Sequence, residues 1–423
     1  MELACQDKIN QLTRKGVRIL NPFSIDIGPE VRIDRISGND VTIYPGCRIY
    51  GQDTIISAHV QLGEEGVTTV DNCRIGSGVA LKSGYFRRSV FLQGASLAMG
   101  AHVREGCLIE EYASASHCAG LKQTILFPFV TLGSLINFCD CMMTGGTGPG
   151  NHSEVGSSFI HFNFTPEGDK TTASLIGDVP RGVMLNQPPI FLGGQGGLVG
   201  PVRIGFGNVT AAGTILRNDI PESNKLISGK SLKNLVLDHK PGRYAGILRI
   251  LENNIYYVAN LQALEQWYQY VRQPFFKSCE FGDEILQGAL SVLKAAGAER
   301  IKRLRAMAHN ISKIASKISL SGTDARIRFC ENIQALSQAM EAPADPAVGE
   351  SDRKSFMNAM EDRLQNEDTN YIRSIQELSS DAIFHGTRWL DTVVWNYCRT
   401  ASAALPELNL FQNWKTMTEP ADD

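Results

Sequence analysis

Residues 192–216 read LGGQGGLVGPVRIGFGNVTAAGTIL, and Leu192, Leu198, Ile204, Thr210 and Leu216 recur at intervals of six. A period of six fits neither an α-helix nor the two-residue alternation of an ordinary strand. It fits a chain wound as a triangular prism, with one short strand per side and a tight turn at each corner. Three hexads then make one coil of about 18 residues, and each hexad sends one aliphatic side chain inward. Glycines that follow the aliphatic residue serve corners where positive φ is needed. The same step joins Leu97, Val103, Ile109, Ala115 and Leu121, and it joins Ile27 to Ile33, Ile43 to Ile49, Ile56 to Leu62 and Ile75 to Leu81. Between these runs the register is expected to slip by insertions, as at residues 34–42 and 82–91. Five consecutive hexads in register argue against a β-sandwich with chance spacing. The expected fold is therefore a left-handed parallel β-helix, followed by an all-α domain.

Composition supports that reading. The chain has 423 residues, enough for two domains, and its 40 glycines sit mostly in the first 215 residues. With 43% hydrophobic and 20% charged residues it can bury a core, which excludes wholesale disorder. A formal net charge of −3 gives no basic excess for nucleic acid or an anionic membrane. No apolar run approaches the ~20 residues of a membrane span. The opening MELACQDKIN has no basic segment leading into an apolar one, so no secretory signal is expected. Ten scattered cysteines fit reduced thiols in a cytoplasmic protein better than a disulfide framework.

The texture changes at Lys240-Pro241-Gly242, which divides an expected β-helix, 1–239, from a helical domain, 240–423. Ile247, Leu251, Ile255, Val258, Leu261, Leu264, Tyr268 and Val271 recur every three or four residues, predicting an amphipathic helix closed near Pro274. A second helix carries Ile285 to Ile318, with a break expected near Gly297, and a third lies around Ile327 to Met340. EAPADPAVGES (341–351) reads as an exposed loop, and 352–404 as helical with Trp389, Leu390, Val393, Val394 and Trp395 in its core.

LAMGAHVREG (97–106), FNFTPEGDK (162–170) and FLGGQGGLVGPVRIGFGNVTAAGT (191–214) carry a more specific signal. Across 97–230 the chain resembles the acetyltransferase half of the bifunctional N-acetylglucosamine-1-phosphate uridylyltransferase/glucosamine-1-phosphate acetyltransferase family. In that family an arginine and a lysine grip the sugar phosphate, and they match Arg104 and Lys122, which are 18 apart. One coil of separation stacks the two cations on one prism side, roughly 5 Å apart, where they clamp one phosphate. The resemblance also matches Asn163, before an aromatic residue, to a contact with a sugar hydroxyl or amine, and Lys170 to a contact with an acyl or phosphate oxygen. Asn163 reads equally well as part of an internal side-chain ladder. For coenzyme A, the family's serine falls on Gly194 and its alanine on Ala212, again 18 apart, and its late arginine has Lys230 as its nearest counterpart. The resemblance thus implies acetyl-CoA or another acyl-CoA as co-substrate.

The departures are informative. The family's general-base histidine falls on Ser134 and its substrate tyrosine on Asn137. A serine hydroxyl cannot deprotonate an amine near neutral pH, whereas an imidazole can. The glycine-rich MMTGGTGPGNHSE (142–154) delivers His152, and His161 follows shortly before Asn163, so these two are the candidate catalytic bases. Cys139-x-Cys141 with these histidines matches no standard zinc spacing, and no metal is expected. The family's uridylyltransferase half is not expected within these residues, since the prism is expected to begin near Leu20. The expected function is an acyl-CoA-dependent acetyltransferase-like protein acting on an amino-sugar phosphate or a nucleotide sugar such as UDP-N-acetylglucosamine, assembled as a homotrimer. Two alternatives stand beside it. One is a non-catalytic sugar-phosphate sensor or scaffold that lost its base. The other places function in a protein partner of the helical domain.

Overall fold

The computed structural model of the protein describes residues 2–229, 236, 244, 246–315, 324–364 and 370–414. The hexads wind into a left-handed parallel β-helix of about 11 turns, followed by a helical region. One side of the prism, here the first face, stacks eleven short strands in sequence from Arg18–Ile19 to Leu226–Ile227. The second face runs through Ala101–Val103, the start of Ala119–Leu126 and the start of Ile136–Met143. The third face runs through Arg74–Ile75, Val90–Phe91, Leu108–Ile109 and Ser174–Ile176.

The inward hexad residues form the core. Leu192, Leu198, Ile204, Thr210 and Leu216 are all buried, as are Leu97, Val103, Ile109, Ala115 and Leu121. Each aliphatic side chain sealed this way contributes about 1.5–3 kcal/mol. Two register expectations are corrected. Ile33 lies in a 3-10 turn and is only half-buried, and Ile36 takes the inward place by bridging to Ile56. Across 82–91 the chain loses residues rather than gaining them, with buried Leu81, Phe86 and Phe91 five apart. That corner is cut short by Arg88 at φ 44°, and Gln123 at φ 51° and Asp140 at φ 56° shorten later corners the same way.

A helix that the hexad reading did not anticipate, Glu2–Lys15, covers the open end of the first coil with Ile9 and Leu12. It acts as a cap for strands that would otherwise end in solvent. The Lys240-Pro241-Gly242 boundary lies outside the described residues. Beyond it, the helices Ile247–Trp267 and Gly282–Ala315 pack against strands of the third face. The helices Ala325–Glu341, Glu350–Leu364 and Ser380–Ser402 build outward from them. The expected break at Gly297 is absent. A Cβ there would meet nothing nearer than Val258 Cγ1 at 3.9 Å, so the glycine costs helix propensity without forcing a kink. Trp389, Leu390, Val393 and Val394 are buried and Trp395 packs on the same core. Among the described residues no helix is long and apolar enough to cross a membrane.

Candidate functional site

Strand alternation on the second face sets the site. Ala101 and Val103 are buried, so His102 and Arg104 point outward. In the next coil Ala119 and Leu121 are buried and Gly120 and Lys122 face out. Parallel pairing puts Gly120 over His102, and then Asn137 over Gly120 and Cys139 over Lys122. Arg104 N donates to Leu121 O at 2.9 Å, which carries the same register on to Arg104 and Lys122. The two cations therefore stack at the edge between the second and third faces, as their spacing predicts.

Their partners differ. Lys122 Nζ lies 2.7 Å from Glu105 Oε1, and this bond holds the Glu105 carboxyl below its ordinary range. Arg104 Nη2 donates to Cys139 Sγ at 3.7 Å, and no carboxylate of the described residues lies within ion-pair distance of Arg104. Burial pushes the Cys139 thiol up, opposed by the Arg104 charge. One coil below, Arg87 is paired with Asp71 at 3.2 Å. Arg104 is thus the cation of this column that remains available to an anion.

The loop 163–173 leaves the prism at this same edge, between the strands Ile160–Phe162 and Ser174–Ile176. Asn163 Nδ2 donates to Asp140 Oδ2 at 2.5 Å, and Asp140 Oδ1 accepts from Arg300 Nη2 at 2.6 Å. Arg300 Nη1 also reaches the Lys170 carbonyl at 3.4 Å. Farther along, Asn310 donates to the Glu167 carbonyl at 3.0 Å and Tyr244 to Asp169 at 2.7 Å. The helical region therefore grips this loop from outside. Lys170 itself has φ 58°, and its ammonium sits 5.8 Å from the Phe164 ring. Arg104, Lys122, Asn163 and Lys170 share one edge of the prism.

Neither sequence-predicted base is brought to that edge. His161 points into the prism and is 1% exposed. Its Nδ1 bonds the Cys139 carbonyl and its Nε2 lies 2.8 Å from Ser174 Oγ. Burial holds the imidazole below its ordinary pKa, so it stays neutral and enclosed. His152 lies in a hairpin, Gly146–Gly148 with Asn151–His152, at the edge between the third and first faces. Its Nδ1 bonds the Pro149 carbonyl at 2.7 Å, and Gln376 holds the hairpin through Thr147 O at 2.6 Å.

Two histidines not singled out by sequence do stand near the open second face. His117 Nδ1 lies 2.8 Å from Ser134 Oγ at the edge between the first and second faces. The spacing of 17, one shortened coil, was the signal for that contact. His102 is exposed two residues before Arg104, with the Tyr85 ring edge-on at 5.5 Å.

Gly194 and Ala212 also stack, since Leu192 pairs with Thr210. They follow Ser134 and Ser157 up the edge between the first and second faces. Backbones touch closely here, and a Cβ on Gly194 would come 2.8 Å from Ser157 O. Ser134, Ser157, Gly194 and Ala212 give this part of the edge a run of small residues. Lys230 lies outside the described residues.

The chain is similar to several curated proteins named bifunctional protein GlmU. It is 27% identical to that of Nocardia farcinica over 235 residues, which is 55% of this chain and 42% of the relative. It is 27% identical to that of Thermosipho melanesiensis over 54% of this chain and 45% of the relative. It is 30% identical to that of Pelobacter propionicus over 52% and 43% of the two chains. The match thus takes in less than half the length of each relative. It is consistent with the acetyltransferase half of that family. No family model matches the chain.

Proposed function

We propose that the protein transfers an acyl group from acetyl-CoA or a related acyl-CoA to the amine of an amino-sugar phosphate or nucleotide sugar, in the cytoplasm and as a homotrimer. The observation that carries this reading is the outward stack of Arg104 and Lys122 beside the Asn163–Lys170 loop. Arg104 binds phosphate directly, through a planar fork suited to phosphate oxygens. Lys122 joins it by exchanging Glu105 for the ligand. Asn163, fixed by Asp140, presents its amide oxygen to the sugar. Lys170, on the same loop, reaches a phosphate oxygen of the ligand. The edge bearing Gly194 and Ala212 receives the pantetheine arm, and the second face joins that edge to the clamp. Along a strand the clamp and the cofactor edge are about five residues apart, roughly 16 Å, and Gly194 and Ala212 stand a further three and four coils above Lys122, roughly 14–19 Å up the prism.

A non-catalytic sugar-phosphate sensor is the second reading, favoured by Ser134 at the position of the family's histidine. Calorimetry against glucosamine 1-phosphate, UDP-N-acetylglucosamine and acetyl-CoA, with a thiol-release assay, tests both. Binding of a sugar phosphate with release of free thiol supports transfer. Binding with no thiol release from any acyl-CoA supports the sensor. Binding of neither ligand class overturns both.

A further inference from the structure

We infer that His102 accepts the proton of the substrate amine, and that the side-chain-free notch over Gly120 is where that amine sits. The inference rests on the acyltransferase reading above and names the base of the same site.

The geometry comes from three adjacent coils. His102, Gly120 and Asn137 form one outward column, and Arg104, Lys122 and Cys139 form the next. The middle position of the first column carries no side chain. A Cβ built on Gly120 would meet only Ile136 O, at 3.6 Å, so no side chain lies within 4 Å of that point. The notch is bounded by His102 below, Asn137 above and Lys122 beside it, with Arg104 on the diagonal. Residues two apart on a strand are about 6.6 Å apart and neighbours across strands about 4.8 Å. A hexosamine whose phosphate is held by Arg104 and Lys122 extends back along the strand, over Gly120 and against the His102 ring. Tyr85, one coil below and edge-on at 88°, supports that ring from beneath.

Among the described residues no other imidazole shares this column, and His309 lies exposed on the helix Gly282–Ala315. His161 is sealed inside the prism, and His152 lies on another edge. His117 is bonded to Ser134 across the width of the face from the clamp. His59 pairs with Asp40, and His385 pairs with Asp352 in the helical region.

The step balances with the named reactants. The neutral amine nitrogen attacks the thioester carbonyl carbon, the C–N bond forms, and the C–S bond breaks. The electron pair leaves on the coenzyme A sulfur. The proton shed by nitrogen passes to the His102 imidazole and then to the departing thiolate. Nothing is oxidised or reduced.

The test uses the full chain with glucosamine 1-phosphate and acetyl-CoA. His102→Asn is expected to lower kcat by about 10²–10⁴-fold, as for loss of a general base. KM for the sugar should change by less than about threefold. The acid limb of the pH profile should vanish, and added imidazole should restore part of the rate. Glucosamine 1-phosphate binding, read by calorimetry, should survive in His102→Asn. Gly120→Leu, which fills the notch, should raise KM instead. Wild-type kcat in His102→Asn overturns the inference while leaving the acyltransferase reading intact. So does loss of activity in His117→Asn with His102→Asn unaffected. Loss of sugar-phosphate binding in His102→Asn makes it a structural residue and overturns the inference as well. Wild-type protein that binds the sugar phosphate and transfers nothing from any acyl-CoA overturns the acyltransferase reading, and His102 as its base falls with it.

Discussion

Arg300 and Asp140, 160 residues apart in sequence, form an ion pair at 2.6 Å with side chains 2% and 8% exposed. The second Asp140 oxygen holds Asn163, so a residue of the helical region fixes a residue of the candidate sugar site. Breaking a buried pair from one side leaves an uncompensated charge, which costs about 3–5 kcal/mol. Arg300→Met is therefore expected to destabilise the protein by that amount in urea denaturation. Adding Asp140→Asn should recover part of the loss, because asparagine removes the charge and tolerates the positive φ at 140. A double variant no more stable than Arg300→Met would show that the pair is not coupled.

The clamp should respond unequally. Arg104→Ala is expected to weaken glucosamine 1-phosphate binding by about 1.5–3 kcal/mol, the range for hydrogen bonds to a charged group. Lys122→Ala should cost less than Arg104→Ala, since Lys122 must first leave Glu105. Glu105→Gln should tighten binding slightly, by the ~0.2–1 kcal/mol of a partly exposed pair. Calorimetry on the three variants checks the order, and equal losses at 104 and 122 would remove Glu105 from the account.

How much of this was legible follows from the period. Hexads declare which residues point inward, and His161 could have been read that way, because it lies six beyond the buried Val155 and pairs with Leu198. The long insertions hid that step. The stack of Arg104 and Lys122 was legible because the register is local and each coil repeats the last. His102 stands inside the quoted LAMGAHVREG, but only Arg104 of that stretch was matched to a family residue, although strand alternation places both on the same face. Arg300 could not be found from sequence. Its role depends on which prism face the helical region covers, and a 3.6-residue period fixes only the helix's own buried side. The five-residue corners escaped for a different reason: Arg88, Gln123 and Asp140 adopt positive φ without glycine, so no residue type announced them.

Acidity should modulate the contact between prism and helices. Glu110 is buried with Glu111, Arg272, Tyr268 and Tyr371, and it accepts a 2.5 Å bond from Tyr268. Burial pushes its carboxyl up to about 7, against the pull of Arg272, while Glu111 adds to the rise. Asp391, beside Arg181 and Asp178, is raised to about 6, chiefly by burial. A carboxyl whose folded pKa lies above its unfolded value binds protons more tightly when folded. Its contribution to stability therefore falls as pH rises from about 4.5 through 7 and returns on acidification. For Glu110 the effect is on the order of 1–3 kcal/mol. Glu110→Gln is expected to flatten this part of the stability–pH curve, gaining on the wild type at pH 8 relative to pH 5. Urea midpoints at the two pH values check it, and a gain at pH 5 relative to pH 8 would reverse the sign.

The upper coils bear on assembly. On the first face Phe191, Val209 and Leu226 form one register column and are 39%, 39% and 77% exposed. On the second face Ile160 and Ile215 flank Gly197 in another column and are 39% and 38% exposed. These two apolar columns stand either side of the edge that carries Gly194 and Ala212, and the helical region covers the third face instead. Two different patches on adjacent faces suit a heterologous contact, first face of one copy to second face of the next, which closes into a ring. A stable contact of this kind needs about 800 Å² from each partner, more than scattered surface residues supply. Light scattering at micromolar concentration is expected to give three times 46.3 kDa. Phe191→Glu with Val209→Glu should shift the protein to monomer with unchanged far-UV circular dichroism, because both side chains point out of the prism. A wild-type mass near 46.3 kDa would exclude the ring. A trimer that persists in the double variant would place the contact on a different face.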